Sequence, residues 1–175
     1  MQKETSKIKI VELPVSDWRE FKKIRLGALK KEPQAFGSSY AKEAAYPDTK
    51  WQERLRDGES KKGIYLFAKL EGKIVGMVMG GRTDEDKKEH LAHIWGTYVD
   101  SKAREKGIGK ELMQRVIEEL GKDADVQRIR VEVNAEKKPA VKLYESLGFK
   151  RIGIMTTKMG DGLERQELEM ENSLR

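Results

Sequence analysis

The sequence predicts an α/β fold: a mixed sheet with helices on its faces. Short apolar or alternating runs at 64–70, 73–80, 91–100 and 128–134 have the length and period of strands. Apolar residues at Ile108, Leu112, Met113, Val116, Ile117 and Leu120 form one helical stripe. The two patterns follow one another along 175 residues with no Pro/Gly/Ser-rich linker between them, which suits one domain over 1–175 with its core in about 8–170.

Taken in order, residues 8–13 alternate Ile8, Ile10 and Val11 with charge and read as a first strand, stopped by Pro14. Ser16 or Asp17 can cap a helix running to about Lys30, with Trp18, Phe21, Ile24, Leu26 and Leu29 along its apolar side. Residues 31–50 contain Pro33, Gly37 and Pro47 and read as loop with a helical turn; 51–57 reads as a short helix ended by Gly58. Glu71-Gly72 joins the next two strands as a hairpin. Residues 82–89 are charged and read as a surface loop before the strand at 91–100. Beyond the helix at 108–121 come a strand at 128–134 and a helix at 139–147 with proline in its first turn. Strands at 149–157 and 163–170 then flank Gly160-Asp161-Gly162.

Composition narrows the chemistry. There is no cysteine, which excludes disulfides, thiolate metal sites and a cysteine nucleophile. Two histidines, His90 and His93, do not make a multi-histidine metal centre, so no metal is expected. No apolar stretch approaches the roughly 20 residues of a membrane span, and the polar start lacks a secretory apolar region, so a cytoplasmic protein without membrane contact is expected. The net charge of +6 fits a lysine-rich surface, a polyanionic ligand or nucleic acid. Because the lysines are spread from Lys3 to Lys158 rather than clustered with stacking aromatics, nucleic acid is not the expected partner.

The segment Val99-Asp-Ser-Lys-Ala-Arg104-Glu-Lys-Gly107-Ile-Gly109-Lys110 is the most informative: an apolar strand, a basic loop, then a glycine-marked helix start. The first amides of a helix lack intrahelical partners and carry the positive end of its dipole, so a phosphate can accept from them where no side chain intrudes. Taken alone, the two glycines also suit an ordinary tight turn. The spacing is neither the dinucleotide fingerprint nor the P-loop.

Here the chain resembles the GNAT acetyltransferases, whose coenzyme segment has the form Gln/Arg-x-x-Gly-x-Gly/Ala, matched by Arg104, Gly107 and Gly109. A second segment, from Ala140 through Leu143, Tyr144 and Gly148 to Phe149, resembles the family's Ala-x-x-Leu-Tyr-x-x-x-Gly-Phe in the same order and spacing. The resemblance implies a mixed, mostly antiparallel central sheet with helices on both faces and a splayed pair of parallel strands, with acetyl-CoA, as co-substrate, lying in the gap. Tyr98 and Val99 would lend it a main-chain edge, and Arg104, Glu105, Lys106, Gly107, Ile108, Gly109 and Lys110 would surround its pyrophosphate. Tyr144 would donate a proton to the departing thiolate, and it also suits a half-buried packing role. Many members carry Asn where this chain has Lys137; Asn134 matches an earlier, less regular Asn at the strand's end and is the expected coenzyme contact, with Lys137 or Lys138 reaching a coenzyme phosphate or lying solvated as the alternatives.

The expected reaction is direct attack of an amine on the thioester, on a small-molecule or peptide acceptor. The general base is open among His93, which alternation places on one face with Trp95, Thr97 and Val99, then Glu132 and Glu43. Phe36, Tyr40, Tyr46 and Trp51 either line the acceptor pocket or cover the sheet. A coenzyme-binding regulatory domain without turnover and a basic nucleic-acid-binding domain are the alternative functions, and a homodimer is left open.

Overall fold

The computed structural model describes residues 7–60, 63–82 and 90–175. Its seven strands are β1 (Lys9–Val11), β2 (Ile64–Leu70), β3 (Lys73–Arg82), β4 (Leu91–Val99), β5 (Arg128–Asn134), β6 (Lys150–Lys158) and β7 (Glu164–Ser173). They form one sheet in the order β1-β2-β3-β4-β5-β7-β6. Only β4 and β5 run parallel; every other neighbouring pair is antiparallel. The β2–β3 hairpin turns on Glu71 and Gly72, both at positive φ, the backbone that the Glu-Gly pair predicts.

Helix α1 (Trp18–Lys31) covers one face with α2 (Tyr40–Ala44) and α3 (Asp48–Glu59), and α4 (Ile108–Gly121) packs on the other; α5 (Lys138–Ser146) follows β5. The period of two in β3 explains the two cores: Val78 points to Leu112, Met113 and Val116, whereas Met77 and Met79 join Phe21, Leu29, Trp51 and Phe67. Phe21 packs edge-on against Trp51, Tyr65 and Phe67 at 5.3–5.8 Å between ring centroids, contacts of about 0.5–1.5 kcal/mol each beyond their burial. No helix among the described residues is long and apolar enough to cross a membrane.

The early region differs from the loop that its composition predicts. A 3-10 turn at Pro33–Ala35 precedes α2, whose start is capped by Ser39 accepting from the Lys42 amide at 3.2 Å. Helix α3 begins at Asp48, directly after Pro47, and runs through Gly58 to Glu59. One glycine near a helix end costs only about 1 kcal/mol and does not stop it. The expected 82–89 loop lies outside the described residues except for Arg82, which ends β3 and pairs with Asp123 at 2.9 Å.

The most consequential departure is in β4. Met79 faces Trp95 but Met77 faces Tyr98, so β4 carries one extra residue there, and Gly96 sits at φ +66°. This bulge resets the alternation. His93 and Trp95 stay on the α1 side, while Thr97 and Val99 turn toward α4, contrary to the single face that unbroken alternation predicts. Tyr98 joins the Phe21 core. Pairing between β4 and β5 ends at Ile94 with Val131; past that point the strands splay.

Candidate active site

Beyond the splay, β4 and β5 leave main-chain groups unpaired across the gap, and a cavity opens there. It continues at one end into a larger cavity of about 550 Å³ between β4, the start of α4 and α5. Nine of the eleven residues expected around the coenzyme line it: Tyr98, Val99, Arg104, Glu105, Gly107, Ile108, Gly109, Lys110 and Tyr144.

The turn into α4 is bare main chain. Gly107 is the N-cap at φ +78°, and no side chain caps the helix. A Cβ built there meets nothing within 4 Å, so the approach to the amides of Ile108, Gly109 and Lys110 is open. Glu105 also has positive φ, at 63°, which lets the loop curl around this point. The loop is pinned from both sides. Asp100 accepts from the Lys102 amide at 3.1 Å and holds Lys31 of α1 at 2.7 Å. The Lys31 hydrogen bond first, then the Lys102 amide, keep the Asp100 carboxyl below its usual range against the opposing effect of burial. Arg104 donates through Nε to the Val99 carbonyl at 2.9 Å and pairs with Glu32, which also faces Lys137 at 3.8 Å. This open, cationic, glycine-capped cradle fits a pyrophosphate.

Tyr144 lies where this cavity meets the β4–β5 gap, lining both. Burial pushes its phenol above the ordinary value, with a hydrogen bond from Thr97 pulling the other way, so it is protonated at neutral pH. Asn134 lines the gap rather than the large cavity. Its amide donates to the Gln34 carbonyl at 3.1 Å and its oxygen accepts from the Glu136 amide at 2.9 Å, tying the end of β5 to the 3-10 turn. Lys106 is exposed on the loop and Lys137 lines both cavities.

At the far end of the gap is a third, smaller cavity of about 220 Å³, lined by Arg25, Phe36, His93, Trp95, Glu132 and Glu167 among others. Glu132 and Glu167 belong to a row of side chains on β5 and β7. Within that row Arg130 binds Glu169 at 3.1 Å and Glu171 at 2.8 Å, whereas Glu132 and Glu167 form no salt bridge among the described residues. Glu167 is 7% exposed. Burial, with the charge of Glu132, holds its carboxyl above the usual range, and a hydrogen bond from Thr157 only partly offsets them. The sequence reading missed Glu167 because it is one of four glutamates in β7, and only the register singles it out.

Of the four aromatics considered for the acceptor pocket, Phe36 lines this third cavity. Trp51 is fully buried in the α1–α3 core with Tyr46 against it, and Tyr40 is 42% exposed beneath Lys30. Glu43 is buried between Arg25 and Arg54, at 2.7 and 3.2 Å, and Asp48 pairs with Lys22, so neither acid faces the pocket.

A sheet that parts beside an open helix start with glycine at its N-cap leaves a cleft for an extended ligand with an anionic end. Residues 26–149 match the acetyltransferase (GNAT) family model, and the chain belongs to that family. It is 33% identical over 102 residues to an L-amino acid N-acetyltransferase of Escherichia coli, covering 58% of this chain and 61% of that protein. It is 38% identical over 105 residues to the N-acetylaspartate synthetase of Xenopus tropicalis, covering 60% of this chain and 37% of that one. The chain thus spans less than two thirds of either relative's length. In fold it matches a GNAT acetyltransferase of Streptococcus pneumoniae with TM-score 0.83 at 20% identity, over 96% of this chain and all of the other.

Proposed function

We propose that the chain transfers an acetyl group from acetyl-CoA to a primary amine within a ternary complex. One observation carries this: the uncapped start of α4 opens into a cleft that runs past Tyr144 to a pocket lined by Glu132 and Glu167, which form no salt bridge among the described residues. Acetyl-CoA supplies the activated acyl group and a thiolate leaving group. The amides of Ile108, Gly109 and Lys110, with Arg104 and Lys110 beside them, hold its pyrophosphate. The edge of β4 that β5 leaves unpaired past Ile94 offers main-chain groups to the pantetheine arm and N–H donors to negative charge developing on the acyl oxygen.

The acceptor enters from the α1 side. Its ammonium must lose a proton before it can attack, and Glu132, Glu167 and His93 surround the place where that proton is released. A carboxyl held above its usual range is a better proton acceptor than an ordinary one, which favours Glu167. Tyr144, at the junction of gap and cavity, protonates the departing sulfur. Holding both substrates in one cleft supplies much of the remaining acceleration.

The test is a panel of amines assayed for free thiol release with acetyl-CoA as donor. Amine-dependent release is expected. A protein that binds acetyl-CoA yet releases thiol with no amine is instead a coenzyme-binding regulatory domain.

A further inference from the structure

The acceptor pocket contains a cation that the transfer chemistry does not use. Arg25 is 5% exposed and lines the smaller cavity. Its Nε and Nη2 grip Glu43 at 3.0 and 2.7 Å, a side-on fork that leaves the third nitrogen turned away from that partner. That nitrogen, Nη1, is buried with no hydrogen-bond partner among the described residues. It lies 3.5 Å from the position a Cβ would take on Gly96, the bulged residue where β4 leaves β5 and where both cavities of the gap meet.

The charge count points the same way. Arg54 also binds Glu43, so one carboxylate serves two guanidiniums and the buried group carries a net positive charge. A buried donor without an acceptor costs about 1–3 kcal/mol, more when charged, and such groups persist where a ligand completes them. Across the same pocket stand Glu132 and Glu167, with no arginine paired to either. The pocket therefore has an anion-seeking side and a cation-seeking side. At about 220 Å³ it is smaller than the roughly 300–1,000 Å³ of sites for drug-sized ligands.

We propose that Arg25 binds a carboxylate on the acceptor, so that the amine acetylated is that of a free α-amino acid rather than of a peptide N-terminus or a polyamine. This rests on the transferase reading above and names its substrate class. The ammonium lies against Glu132 and Glu167, the carboxylate against Nη1 of Arg25, and the amine nitrogen is thereby aimed at the gap beside Gly96. A peptide N-terminus presents a neutral amide where the carboxylate belongs, and a polyamine presents a second cation to the guanidinium.

Two measurements on the full chain test this. CoA-saturated protein is titrated calorimetrically with each common amino acid and with its α-amide, and thiol release from acetyl-CoA is followed with the same pairs and with dipeptides. For the amino acids that bind, the acid should exceed its amide by roughly 10- to 100-fold in affinity and in kcat/KM, the range for exchanging a charge-assisted hydrogen bond for a neutral one. Arg25→Lys keeps a charge for Glu43 but not the second edge of the fork; there the acid-to-amide ratio should fall toward one. If that variant does not fold, the wild-type ratio decides alone. The proposal is overturned by an amide or dipeptide that equals its acid, by a wild-type ratio retained in Arg25→Lys, or by no binding of any acid. Discrimination in calorimetry without thiol release from any amine would contradict the transferase reading and leave the carboxylate assignment standing.

Discussion

Replacing Gly107 separates the cradle from the fold. At φ +78° a valine costs about 1–2 kcal/mol or more, because its Cβ meets its own backbone. A domain of this size loses about 2–4 °C of Tm per kcal/mol, so Gly107→Val should melt several degrees lower and remain folded. Asparagine tolerates the left-handed region, so Gly107→Asn should melt close to the wild type. Both side chains occupy the open space above the α4 amides. Loss of two charge-assisted hydrogen bonds at about 1.5–3 kcal/mol each predicts a fall in coenzyme affinity of 100-fold or more. Acetyl-CoA at 100 times its wild-type Kd stabilises the wild type by about 2.7 kcal/mol, a Tm rise of roughly 5–11 °C. Differential scanning fluorimetry with and without acetyl-CoA should show that rise in the wild type and almost none in either variant. A Gly107→Asn protein that keeps the full rise refutes the reasoning.

Other changes probe the cleft and the buried charges. Tyr144→Phe should lower kcat by about 100-fold or more while leaving acetyl-CoA affinity within a few fold, checked by thiol release and calorimetry. Glu43→Gln leaves two guanidiniums without their carboxylate and should destabilise by about 3–5 kcal/mol in denaturant titrations. Burial raises the Glu43 pKa, but the hydrogen bond and charge of Arg25 with the charge of Arg54 outweigh it and lower the net value. The stability it contributes is therefore present above the ordinary glutamate value and lost as pH falls through the depressed one, so the gap between wild type and variant should narrow in acid. Glu167 is the reverse case. Its raised pKa means that folding takes up protons, and stability is lost as pH rises from the ordinary glutamate value to the raised one. Glu167→Gln should thus melt higher than wild type at pH 7, with the difference vanishing below about pH 4, while its rate of transfer falls.

What the sequence made legible was local. The stripe from Ile108 to Leu120 gave α4 its observed bounds, and Arg104, Gly107 and Gly109 placed the cradle, because helix periodicity and a helix start are written in neighbouring residues. The proposed acceptor pocket is assembled from α1, β4, β5 and β7, and no spacing announces that Arg25, His93, Glu132 and Glu167 meet. The bulge at Gly96 was equally hidden. A glycine within an alternating run does not disclose that the strand gains a residue there, yet that residue sends Thr97 and Val99 to the α4 side. In the early region the loop reading of 31–50 rested on its prolines and glycine and took no account of Ser39, which caps α2, or of Pro47, which directly precedes α3.

Coenzyme binding in this cleft requires main chain at the start of α4 to grip a pyrophosphate. A crystal structure of the chain soaked with CoA tests that most directly. Pyrophosphate oxygens within about 3 Å of the Ile108, Gly109 and Lys110 amides, with the pantetheine arm along Thr97 and Val99, are the predicted result. CoA bound elsewhere, with those amides facing only solvent, would contradict it.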